Sequence, residues 1–123
     1  MFRFFNQKSR ACALMQALNT TALLIALNEI INDPEHAWEW GLEALTHFVS
    51  ILALVEKPSL LGNASSVSLN FMRIGAIFSG VTSGCSTLSN LTNLFDAAGH
   101  LGNIVVPVAT AEREPARVPH SVP

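Results

Sequence analysis

Between Ser65 and Ala98, large apolar residues recur at Val67, Phe71, Ile74, Phe78, Val81, Cys85 and Leu88. The alternating four-three spacing keeps them on one seam of a single helix. Ala76, Gly80 and Gly84 lie opposite, at four-residue intervals, with Ser79, Ser83, Thr87 and Asn90 on the adjoining strip. A small-x-x-x-small line lets two helix backbones approach closely, and Gly75, Gly80 and Gly84 are the places where so long a helix would bend or break. Together the two faces are read as a helix-packing interface. Ser65 or Ser66 is expected to cap this helix after a loop over 58–66, and Gly99 to stop it.

Upstream, the pattern predicts a first helix from about Ser9 to Ile31. Leu14, Leu18, Ala22 and Ile25 lie on one side, and Leu23, Leu24 and Leu27 make its second half apolar nearly all round. Asp33-Pro34-Glu35 marks the start of a second helix, with an acceptor side chain, proline at the first helical position and a negative charge at the positive dipole end. On this second helix Glu35, His36, Glu39, Glu43, Thr46, His47 and Ser50 share one narrow sector, and Trp38, Trp40, Leu42, Leu45, Phe48, Val49, Ile51 and Leu52 cover the rest, until Lys57-Pro58 ends it. Residues 104–109 read as a short strand-like piece. The predicted fold is all-α: a three-helix, membrane-associated bundle in one domain over 1–109, either three crossings or a hairpin plus an amphipathic helix, followed by a disordered polar tail over 110–123.

Composition strengthens the membrane reading. Half of the 123 residues are hydrophobic, 13% are charged, and the mean hydropathy is +0.38. An ordinary soluble domain carries about 25% charged residues. Arg3, Lys8 and Arg10 precede any acid, whereas Glu29, Asp33, Glu35, Glu39 and Glu43 follow without a base. Crossings near 11–28, 40–55 and 74–92 would place the basic residues on one side and these acids on the other, in line with the positive-inside bias of an organellar or bacterial inner membrane; an acid-free basic start also suits a targeting segment. Phe2, Arg3, Phe4 and Phe5, with Trp38 and Trp40, are candidates for a membrane-interface belt. A net charge of -2 excludes the counterion release on which nucleic-acid binding depends. The two cysteines, Cys12 and Cys85, outline neither a disulfide framework nor a zinc motif and read as core or interface thiols.

Candidate chemistry is sparse. The glycines near 80–84 make neither a nucleophile elbow, since Ser83 sits beside Gly84, nor a phosphate loop, since no lysine follows them. The Asn-x-Ser/Thr matches at Asn19, Asn63 and Asn90 are read as coincidence. His36, Glu39, Glu43 and His47 share a face at spacings that could hold a metal, but a site needs ligands from a second helix, for which Asn28, Glu29, Asn32, Asp96 and His100 are the candidates. The simpler reading of that sector is a solvated polar stripe. The expectation is therefore a non-enzymatic protein without a cofactor or metal. Its partners would be membrane lipid and a protein or a second copy of itself, and it would act as a subunit, assembly factor or oligomerising element. The alternatives are a soluble helical adaptor covered by a protein partner, and a pore-forming oligomer lined by the hydroxyl strip.

Overall fold

The computed structural model describes residues 5, 6, 9–82 and 87–111, and the side chains of all of these except 80–82 and 87–90. The chain is all-α. Its helices are α1 (Arg10–Asn32), α2 (Ala37–Ala53), α3 (Leu60–Thr82) and α4 (Thr87–Thr110), with a single 3-10 turn, Pro34–His36, before α2. The pairings Gln16–Ile51 and Asn19–His47, then Ser50–Ser66 and Glu43–Arg73, then Cys12–Thr110 and Asn19–Asn103, run each helix antiparallel to the next and close α4 against α1.

Local signals explain most boundaries. Ser9 caps α1, its hydroxyl accepting from the Cys12 amide at 3.2 Å. Asp33 ends α1, and Pro34 opens the turn that follows. The Asp33 carboxylate does not cap that turn as expected, but accepts from the Trp40 indole N–H at 3.3 Å and contacts the His36 ring at 3.0 Å. At the opposite end of the bundle, side chains serve the last carbonyls of α2: Asn6 Nδ2 donates to Leu54 O at 3.1 Å and Gln16 Nε2 to Ile51 O at 3.4 Å. Cys12 is buried, and its thiol donates to Thr110 Oγ1, which itself donates to Val106 O.

Several expectations are corrected. The single long third helix is two helices, α3 and α4, separated by the stretch 83–86, which lies outside the described residues along with Gly84 and Cys85. The described residues therefore form four helices and not three. Ser59, not Ser65 or Ser66, caps α3, accepting from the Gly62 amide at 3.0 Å, so most of the expected 58–66 loop is helical. Residues 104–109 are helical, with Pro107 inside α4. Proline cannot donate to the carbonyl of Asn103, yet the helix packed on both sides carries the chain through it. The described part of α4 reaches Thr110, and the tail expected beyond it lies outside the described residues from 112 on.

The seam Val67, Phe71, Ile74 and Phe78 does not form the inside of the bundle. Phe71 and Phe78 are exposed and Val67 and Ile74 half-buried, while α3 turns Ser66, Asn70 and Ile77 inward. Ala76 is exposed, and the side chains at Gly80, Val81 and Leu88 lie outside the described residues.

Candidate functional site: a buried polar centre

Every helix directs a polar stripe of helical period to the inside. The stripes are Gln16 and Asn19 on α1; Glu43, Thr46, His47 and Ser50 on α2; Ser66 and Asn70, with Arg73 a turn farther, on α3; and His100 and Asn103 on α4. Gln16 and Asn70 are 0% exposed and His100 1%. The stripe expected to face solvent on α2 is therefore the inside of the fold over Glu43–Ser50. Glu35, His36 and Glu39, nearer the α1–α2 corner, are exposed as expected.

A buried polar group costs about 1 to 3 kcal/mol if left without a partner, so these stripes are tolerable only where they satisfy one another. They do so in layers. Ser50 Oγ donates to Thr46 O and accepts from Ser66 Oγ and from Asn70 Nδ2, the latter at 2.8 Å. Asn19 and Asn103 exchange two hydrogen bonds, at 2.6 and 2.9 Å, and Asn103 Nδ2 also donates to Asn70 Oδ1 at 3.0 Å. The three carboxamides thus tie α1, α3 and α4 together through side chains alone.

Two histidines hang from this ladder. His47 Nδ1 meets Asn19 Oδ1 at 2.8 Å, and His100 Nδ1 meets Asn70 Oδ1 at 2.7 Å. The orientation of each amide is set by its other half: Asn19 Nδ2 donates to Met15 O at 2.7 Å, and Asn70 Nδ2 to Ser66 O at 2.8 Å. A carboxamide oxygen only accepts, so both imidazoles carry their proton on Nδ1 and donate. The rings lie nearly parallel, 19° apart with centroids 5.4 Å from each other. Both Nε2 atoms face the same carboxylate oxygen, Glu43 Oε1, at 3.1 Å from His47 and 3.3 Å from His100. Arg73 Nε takes the other oxygen, Glu43 Oε2. Asp96 Oδ1 stands 3.5 Å from His100 Nε2, its side chain 39% exposed.

Among the described residues, Glu43, His47 and His100 bring one ligand atom each to within 4.8 Å of one another. Of the metal candidates read from sequence, the structure thus assembles Glu43 and His47. It leaves His36 and Glu39 outside, and of the ligands expected from another helix it brings in His100 on α4, with Asp96 beside it. A signal for this was present. Glu43-x-x-x-His47 and Asp96-x-x-x-His100 repeat the same carboxylate–histidine step, which places both side chains on one helix face. A cleft of about 570 Å³, lined in part by Trp40, Glu43, His47, Arg73 and Asp96, reaches the cluster.

The membrane-interface candidates divide. Phe5 is 50% and Trp38 71% exposed, while Trp40 is half-buried with its indole N–H on Asp33. Phe2, Arg3 and Phe4 lie outside the described residues.

No family model matches the chain, and neither the curated proteins nor the solved structures contain a match from which a role could be transferred.

Proposed function

We propose that this chain is a membrane-embedded, non-enzymatic helical subunit, surrounded by lipid and associating with a protein partner or a second copy of itself. The observation that carries this reading is where the large apolar side chains lie. They are exposed on all four helices: Leu24 and Ile31 on α1, Trp38 and Phe48 on α2, Phe71 and Met72 on α3, Phe95 and Val108 on α4, with Ile31 79% and Phe95 78% exposed. An ordinary soluble fold limits contiguous apolar patches, and a protein partner covers one face. Lipid covers a whole circumference, and within lipid the polar groups have only the interior in which to find partners. α1 is long and apolar enough to cross a membrane, by length and composition.

The outer face of α3 suits association. Gly75 has open space where a Cβ would stand, and Ala76 and Ser79 beside it are exposed. Small residues let a second backbone approach closely, and in lipid such packing drives helix association. The test is fractionation: the protein is expected to stay with membranes through an alkaline carbonate wash and to leave only with detergent. Release as a monodisperse species without detergent refutes the proposal and favours the soluble adaptor.

A further inference from the structure

We propose that Glu43, His47 and His100 bind one divalent transition-metal ion of the zinc class, with Asp96 as the fourth ligand. With each imidazole proton committed to an asparagine oxygen through Nδ1, each neutral ring offers a lone pair at Nε2. Those two lone pairs point at a carboxylate oxygen, which is itself only an acceptor. His100 Nε2 is buried and has no hydrogen-bond partner, although two carboxylate oxygens lie within 3.5 Å of it. With both rings in that neutral form, three acceptors face one another without a donor, an arrangement that a cation, proton or metal, resolves.

Two protons would answer it by converting both rings to imidazolium, but these would sit stacked 5.4 Å apart in a buried site beside the Arg73 guanidinium. One divalent ion answers it with a single species. Glu43 and Asp96 bring two negative charges and Arg73 one positive, so the ion changes a net charge of about -1 into about +1, whereas two protons do the same while crowding like charges on adjacent rings. The spacing suits a metal. Ligands at about 2.0 to 2.1 Å in a tetrahedron stand roughly 3.3 Å from one another; the contacts converging on Glu43 Oε1 and on Asp96 are 3.1, 3.3 and 3.5 Å, and the two Nε2 atoms, within 4.8 Å of each other, would draw together on a shared ion. The surroundings suit it too. A ligating histidine characteristically donates its other N–H to a fixed oxygen, which holds the tautomer and raises ligand basicity; Asn19 and Asn70 do this here. Arg73, on Glu43 Oε2, leaves Oε1 aimed at the rings. Two imidazoles and carboxylates favour zinc and its first-row neighbours over calcium or magnesium, which take oxygen ligands. The cleft that reaches Glu43, His47 and Asp96 supplies the entrance.

The experiment uses the purified full chain, stripped with a chelator and titrated with Zn²⁺, Co²⁺ or Cu²⁺ against a chromophoric competitor. One equivalent is expected to bind, Cu²⁺ in the wild type to show electron-resonance splitting from two nitrogen donors, and Asp96→Asn to bind more weakly. His47→Gln and His100→Gln should each lose the site by at least tenfold in affinity, with helicity retained by circular dichroism, and the exposed His36→Gln should match wild type. The wild-type resonance signal needs no variant to fold. Absence of a stoichiometric ion, a spectrum without two nitrogens, or binding that survives both buried-histidine substitutions overturns the proposal.

Discussion

Replacing Glu43 by leucine is the most informative perturbation of the interior. It leaves the Arg73 guanidinium, whose side chain is only 22% exposed, without its counter-charge. Removing one partner of a buried ion pair costs about 3 to 5 kcal/mol, because the remaining charge stays desolvated. Arginine carries its charge on a long stem and can reach toward the cleft beside it, which places the expected loss near the lower end, about 3 kcal/mol. Against a total of about 5 to 15 kcal/mol this is a large fraction, and it corresponds to a fall in melting temperature of roughly 10 to 15 °C for a chain of this size. Glu43→Leu/Arg73→Met removes both charges and substitutes apolar groups of similar bulk, a change that is often neutral or stabilising. It should lie within about 1 kcal/mol of wild type, with a coupling of at least about 2 kcal/mol between the sites.

The assay is thermal unfolding of the chelator-treated protein in detergent, followed by far-ultraviolet circular dichroism. With both imidazoles neutral, removing the Glu43 oxygens takes an acceptor away from two other acceptors and costs the histidines nothing. If they are imidazolium instead, Glu43 is their counter-ion as well, and the double variant stays as unstable as the single one. That result would refute both the dominance of the Arg73 pair and the tautomers assigned to His47 and His100.

Three further outcomes are expected. At Gly102 an added Cβ would meet Met15 Cε at 3.0 Å and Sδ at 3.3 Å. Gly102→Ala should therefore be nearly neutral, since the thioether can swing aside, whereas Gly102→Leu should cost about 1 to 3 kcal/mol by prising α1 from α4, read by the same melts. At the α1–α2 corner, the hydrogen bond His36 donates to Asp33, then the Asp33 and Glu39 charges, raise the His36 pKa above its ordinary 6.5; the His36 contact, then the Trp40 indole, lower Asp33 below 3.8. The contact thus stabilises fully between pH 3.8 and 6.5, fading as pH rises through the raised His36 value or falls through the lowered Asp33 value; a histidine proton titration should show Asp33→Asn returning His36 toward its ordinary value, and no change there contradicts the contact. For association, Gly80→Leu and Gly84→Leu should reduce oligomer or complex yield on native gels by tenfold or more, and Thr82→Leu far less; equal behaviour of all three would mean that the small residues carry no packing role.

Much of the fold was legible because its signals are local. Ser9 and Asp33-Pro34 act within a turn of themselves, so α1 and the start of α2 fell where their residues indicated. Signals that depend on tertiary context misled. Residues 104–109 read as strand-like, yet α4 continues through them, Pro107 included, because packing outweighs one missing backbone bond. Ser66 resembled a cap until the structure used its hydroxyl on Ser50 instead, leaving the capping to Ser59. The long seam from Val67 to Leu88 has a helical period, but periodicity is blind to the division of that stretch into two antiparallel helices, α3 and α4.

The site was half legible, for a deeper reason. Helical periodicity divides a helix into two faces without saying which of them is inside. The sign comes from what surrounds the helix, and on α2 the Glu43–Ser50 face meets the interior and not water. The stripes themselves carry the missing information in the kind of polar residue they use. A face meant for water is filled with Lys and Glu, which hydrate strongly and rarely pair completely. These stripes use Gln16, Asn19, Thr46, Ser50, Ser66, Asn70 and Asn103, groups that donate and accept and so can satisfy one another without water. Their charged members on α2 and α3, Glu43 and Arg73, meet each other, and Asp96 on α4 meets His100. Polar stripes of neutral hydrogen-bonding residues on every helix, with charges few enough to pair, mark a bundle turned polar-side in, and His47 and His100 are held at its centre by that same ladder of amides.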